Sequence, residues 1–182
     1  TANYYINSST TNKLTLQAGS SIFFRDKINL PNGSLELLAG TTVTQDATAS
    51  LYANNLILGS SDGGTSKPTV DLTSASNFIT NLQASNISSL SLTNAQSLAI
   101  NSNGVTASGD LTFNVTSLTG AGTISLASGK TVTINQSGNS SYTGAITGTG
   151  AALVKAGSGT LTLTGTNTYS GNTTISGGTF QI

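Results

Sequence analysis

The sequence predicts an all-β protein, a parallel β-helix (β-solenoid) with coils of about 21 residues and essentially no α-helix. Three observations predict it. Apolar residues occupy alternate positions almost end to end, as in Leu14/Leu16, Leu35/Leu37, Val70/Leu72 and Leu161/Leu163. Alternation puts both members of a pair on one face of a strand. No stretch keeps helical spacing of apolar residues. The pairs themselves recur, each too short to be a free-standing strand.

The recurrence comes in two series. Leu14, Leu35 and Leu56 follow one another at about 21 residues, within the range of stacked-repeat architectures. Leu90, Leu111, Val132 and Leu153 repeat that spacing, and their partners two residues on are Leu92, Phe113 and Ile134. A coil of this length accommodates three short strands and three turns. Stacking places equivalent residues in ladders about 4.8 Å apart, with Val, Ile, Leu and Phe inside and Gly, Asn, Asp and Ser at the corners. Outward Thr, Ser, Asn and Gln can hydrogen-bond their equivalents on the next coil. The phase slips between the series around residues 60–77, where Ser60-Ser-Asp62-Gly-Gly64-Thr-Ser-Lys67-Pro68 predicts a loop bulging from one corner. A β-sandwich is the competing fold, because its turns also come every 8–12 residues. The 21-residue ladder favours the solenoid.

Composition agrees. Of 182 residues only 7% are charged, against about 25% in an ordinary soluble chain. Disordered chains are rich in charge and Pro, whereas this one has 2 Pro and abundant Thr, Val and Ile. Net charge is zero, so no basic surface exists to neutralise phosphates and nucleic acid is not expected as a partner. Cys and His are both 0, which removes thiolate metal sites, disulfides and the commonest general base. No cofactor is expected. No apolar run reaches the roughly 18 residues of a membrane span, so no membrane insertion by this segment is expected. The start lacks an initiator Met. The last triplet, Phe180-Gln-Ile182, stops mid-coil without a polar cap, which predicts a parent chain continuing beyond it. Tyr4, Tyr5 and Ile6 are read as a partial cap or a second cut.

The final stretch carries a motif: Leu153, Lys155, Gly157, Gly159, Thr160, Leu161, Leu163, Gly165, Asn167, Tyr169, Gly171 and Ile175, then Gly178 and Phe180. This pattern resembles the passenger-associated transport repeat (the autotransporter-associated β-strand repeat) of bacterial autotransporters, and Asn139-Ser-Ser-Tyr142-Thr-Gly144-Ala-Ile146 is similar to the stretch that often precedes it. Residues 1–135 are similar only in general character to adhesin and haemagglutinin-like β-helices, so the chain divides into 1–135 and 136–182 within one continuous solenoid. The resemblance implies a right-handed helix exported across the outer membrane of a Gram-negative bacterium, secreted or displayed on its surface, with a downstream β-barrel translocator in the parent. It also implies that the repeat aids secretion and folding. A low-charge chain without Cys can pass a narrow pore unfolded and wind coil by coil.

Parallel β-helices also include polysaccharide-cleaving enzymes, which need paired carboxylates or bound calcium. The acids are Asp26, Glu36, Asp46, Asp62, Asp71 and Asp110. Asp26 and Asp46 lie about one coil apart beside Arg25 and Lys27, and are read as a solvated corner. Asp62-Gly-Gly64 is a loop, since the repeated calcium-binding nonapeptide is absent. Gly148-Thr-Gly150 and Gly157-Ser-Gly159 are coil corners, since no Lys and no helix follow as in a phosphate loop. The sequons at Asn7, Asn86 and Asn114 follow from composition. Tyr142 and Tyr169 are expected to pack at corners. The sequence therefore predicts a non-enzymatic structural segment of an adhesin or toxin passenger. Binding to a host-cell surface, or cleavage or binding of carbohydrate, and self-association in a biofilm are the alternatives.

Overall fold

The computed structural model describes residues 6, 7, 11–74 and 76–182, with nothing said of the side chains of residues 6 and 7. Tyr4 and Tyr5, with the cap read from them, and the side chain of the Asn7 sequon lie outside that description. The described residues contain strands and turns and no helix. Every strand pairing is parallel. The chain winds as a β-solenoid whose third face is an eight-stranded sheet running from Ser21–Phe24 to Thr173–Ile175, one strand per coil.

The three faces follow from the registers. In the early coils one long strand, such as Ile28–Ala39 or Leu51–Ser60, covers two faces, bending between Leu30 and Ser34 where the register shifts. In later coils the two faces separate. Leu118–Gly120 pairs with the first half of Leu98–Ala107, and Ile124–Leu126 with its second half. The first face ends in a three-stranded sheet of Ser140–Tyr142, Thr160–Leu163 and Thr179–Gln181.

The predicted ladders form, but on different faces. Leu14, Leu35 and Leu56 stack on the second face and continue to Leu82, not to Leu90. Leu90, Leu111, Val132 and Leu153 stack on the third face, and continue backwards through Val70, Val43 and Ile22. The phase slip thus has two sources: a change of face, and a longer coil. From Val43 to Val70 the spacing is 27 residues, while Ile22 to Val43 and Leu90 to Leu111 are each 21. The extra residues are the corner loop at 61–68. Asp62 organises it, accepting from the Ser66 amide at 2.9 Å, the Ser66 hydroxyl at 2.6 Å and the Ser60 hydroxyl. These donors, Ser60 first, hold its carboxyl far below the usual carboxylate range.

The core is one tube of stacked apolar side chains, from Ile22 to Leu163. Alternation makes it: Leu111–Val115 reads buried, half-buried, buried, half-buried, buried. Polar side chains that enter the tube are hydrogen-bonded there. Asn77 is buried and donates to Gln45 Oε1 (2.8 Å), Leu72 O (3.0 Å) and Thr93 O (3.1 Å), while its Oδ1 accepts from the Leu51 amide (3.0 Å). Among the described residues no buried side-chain nitrogen or oxygen lacks a partner. Outside, polar ladders form as expected: Asn135 donates to Asn114 at 3.0 Å, and Asn114 to Thr93 at 3.3 Å.

Candidate functional site

The motif residues of 153–182 build the last coils, and each acts on the coil beside it. Leu153 and Leu161 are fully buried and Leu163 nearly so. Leu153 stacks on Val132, Leu161 on Ser140 and Phe180, and Leu163 on Tyr142. The Thr160 amide donates to Asn139 Oδ1 at 2.8 Å, and Asn167 Oδ1 accepts from the Ile146 amide at 2.9 Å, so each bond bridges one coil to its neighbour. Tyr169 packs partly against the core, its hydroxyl 2.8 Å from Thr173 Oγ1. Phe180 also packs partly against the core, whereas Ile175 is 53% exposed on the final coil.

The glycines of the motif mark where coils touch. A Cβ at Gly159 would lie 2.0 Å from Gly138 O, and one at Gly165 would lie 2.2 Å from Gly144 O. Gly171 and Gly178 meet neighbouring carbonyls in the same way, at 2.6 and 2.3 Å. Gly157 adds a left-handed backbone, φ +75°, with Gln136 O 2.2 Å from its would-be Cβ. The side chain that each glycine lacks would occupy the backbone of the preceding turn.

Lys155 occupies an interior position. Its strand partner is Ile134, in the column of Leu92 and Phe113, and it is fully buried. The ammonium donates to three backbone carbonyls: Ala156 O at 2.6 Å, Gly157 O at 3.1 Å and Gly177 O at 3.2 Å. The last contact reaches forward one coil, so the side chain clasps the final turn to the stack. Burial lowers the Lys155 pKa from its ordinary value. Counting 21 residues on from Ile134 arrives at Lys155, so the interior ladder already contained it; its charge disguised it.

Tyr142 also departs from expectation. It lies inside the tube rather than at a corner, fully buried on the strand Ser140–Tyr142, and its hydroxyl donates to Gly122 O. Burial pushes its phenol well above the ordinary range.

The acids do not converge. Asp46 accepts from the Thr48 amide (3.0 Å) and hydroxyl (2.9 Å), which hold its carboxyl below the ordinary value, with Arg25 a smaller influence. Its hydrogen bonds go to Thr48 and none to Asp26. Glu36 bonds Lys13 at 2.9 Å and Thr15 at 2.8 Å, and its pKa is lowered first by the Lys13 contact. The cations of the 25–27 corner lie over aromatic rings: Lys27 Nζ is 3.8 Å from the Tyr52 centroid, and Arg25 is 5.6 Å from that of Phe23. Tyr52 in turn stacks on Phe78 at 4.6 Å. Among the described residues no group of three or more acids is placed to hold a metal ion.

A family model described as passenger-associated-transport-repeat matches residues 153–182. These residues are similar to that repeat. Set in a parallel solenoid, it makes the chain fit a segment of an autotransporter passenger. No curated protein and no solved structure matches the chain.

Proposed function

We propose that the chain is a non-enzymatic structural segment of an autotransporter passenger, an adhesin or toxin. Its C-terminal repeat helps the passenger fold as it emerges across the outer membrane of a Gram-negative bacterium. The repeat's family suggests a secreted or outer-membrane-associated protein, which agrees with a surface role. The observation that carries the reading is the clasp of Lys155 and the glycine contacts at 157, 159 and 165, all of which join one coil to the next. A solenoid grows by adding a coil to a coil already formed, because each buries its apolar face only against its neighbour. A repeat that fixes register at one end supplies the template on which the rest winds.

The test is surface display of the full-length parent carrying Gly157→Val, Gly159→Val or Leu161→Asp. Antibody labelling of intact cells should fall while transcript and periplasmic protein persist. Unchanged display in all three variants would overturn the reading. A partner on the host-cell surface, and a β-barrel translocator in the parent, belong to the same proposal.

A further inference from the structure

We propose that the export-assisting unit begins one coil before the matched residues 153–182, and that Gln136 and Asn139 are its positioning residues. The inference rests on the reading that the repeat helps the passenger fold. Residues 132–152 are a degenerate copy of the coil that follows them. Val132 stands against Leu153 and Tyr142 against Leu163, each 21 residues earlier and each buried. Gly138, Gly144 and Gly150 precede Gly159, Gly165 and Gly171 by the same interval.

Where the copy agrees with the motif, the two coils meet through backbone. The missing Cβ of Gly159 faces Gly138 O at 2.0 Å, and that of Gly165 faces Gly144 O at 2.2 Å. Where the copy departs from the motif, its side chains grip the motif instead. Gln136 stands where the next coil has Gly157, and Asn139 where it has Thr160. Gln136 is buried, and its Nε2 donates to Thr160 O and to Gly138 O, each at 2.9 Å. Its Oε1 accepts from the Ser140 hydroxyl at 2.9 Å, so the amide is fixed on both sides. Asn139 Oδ1 accepts from the Thr160 amide at 2.8 Å. Two side chains outside the matched residues thus hold both backbone groups of one residue inside them.

The residue they hold decides a register. Thr160 opens the strand Thr160–Leu163, in which Leu161 stacks on Ser140 and Leu163 on Tyr142. Alternation forbids a slip of one residue, because it would turn the leucines outward. It does not forbid a slip of two, which would set Leu161 on Tyr142 with every side chain on its proper face. A fixed partner for the Thr160 amide and another for its carbonyl remove that freedom. The strand so placed receives the final coil, where Phe180 meets Leu161. A corner of the same kind lies far from the repeat: Asn94 accepts from the Ile79 amide at 2.7 Å and donates to Ile79 O at 2.9 Å. It supplies a matched control, since a merely structural role would make the two corners equivalent.

The experiment compares surface display of the full-length parent carrying Gln136→Met, Asn139→Ala, Asn139→Asp, Asn94→Ala or Leu161→Asp. Hydrogen exchange of the 182-residue chain runs beside it. In Asn139→Ala the Thr160 amide should exchange about tenfold faster, the worth of one hydrogen bond, while the amides of Leu111–Val115 keep their native rates. Display should fall several-fold in Gln136→Met and Asn139→Ala. Asn139→Asp keeps the acceptor and should restore display, and Asn94→Ala should leave it at the native level. Native display in Gln136→Met and Asn139→Ala, with loss in Leu161→Asp, would overturn this inference and leave the export role standing. Equal loss in Asn94→Ala, or no rescue by Asn139→Asp, would also overturn it. Native display in all five variants would overturn the export role and this inference together.

Discussion

Replacing Lys155 tests how the last coil is held. The side chain fills an interior position in line with Ile134 and gives its ammonium to the carbonyls of Ala156, Gly157 and Gly177. Lys155→Met keeps most of the volume and removes the donors, leaving up to three carbonyls short of a partner. The expected cost is about 1–3 kcal/mol, the penalty of an unsatisfied buried group moderated by the access of water to the final coil. Lys155→Ala removes the packing as well, and by analogy with other large-to-small core changes should cost about 3–5 kcal/mol. In a solenoid the loss stays near the affected interface, so the global transition is a poor probe. Hydrogen exchange is the better assay. The Ser176 amide, bonded to Lys155 O at 2.9 Å, and the Thr179 amide, bonded to Gly159 O at 3.3 Å, report on the final coil. In Lys155→Met both should exchange about tenfold to a hundredfold faster, and in Lys155→Ala faster still, while the amides of Leu111–Val115 stay as they were. The pH dependence carries a sign. The folded pKa is lowered from 10.5, so between the folded value and 10.5 the unfolded chain binds more protons. The cost of burying the charged form is therefore absent above 10.5 and is felt in full once the pH has fallen through the folded pKa. Protection of the final coil should rise with pH across that window, and Lys155→Met should flatten the rise. Exchange at Ser176 and Thr179 equal to the native rates in both variants would refute the clasp.

Glycine replacements should split by contact. Gly159→Ala forces a Cβ to within 2.0 Å of Gly138 O and should cost about 3 kcal/mol or more in the opening free energy read by hydrogen exchange of neighbouring amides, whereas Gly19→Ala, with nothing within 4 Å, should be neutral or stabilise by about 0.4–1 kcal/mol. Asn77→Ala strands the Leu51 amide and the carbonyls of Leu72 and Thr93, and should lower stability by about 3–5 kcal/mol in the same assay. At Asp62 the folded pKa is lowered from 3.8, so its contribution to loop order is complete above 3.8 and is lost only as pH falls through the folded value. An acid titration of the Ser66 amide resonance should therefore show a midpoint well below 3.8, and a midpoint near 3.8 would contradict the bonds described.

The fold was legible where a coil is regular. Leu90, Leu111, Val132 and Leu153 stand at one spacing in the sequence and at one height in the tube, because a parallel register converts a constant coil length directly into a column. Legibility failed where two columns had the same spacing on different faces. Leu56 to Leu90 looks like a displaced continuation, yet Leu56 meets Leu82. Spacing carries no label for the face, and only pairing supplies one. The interior places of Tyr142, expected at a corner, and of Lys155 were hidden for another reason. Both are amphipathic, and a polar tip suggests the surface until a carbonyl is shown to wait for it inside. The bulge at Asn86 could not be read at all, because Asn in a strand of Thr, Ser and Asn leaves no mark.

Regularity accounts for the motif. Every strongly constrained residue of 153–182 is explained by the coil next to it: a glycine by a carbonyl 2.0–2.6 Å from its missing Cβ, a leucine by the column it joins, a lysine by the carbonyls it bridges. Such constraints are reciprocal between successive coils, so a sequence satisfying them tends to repeat.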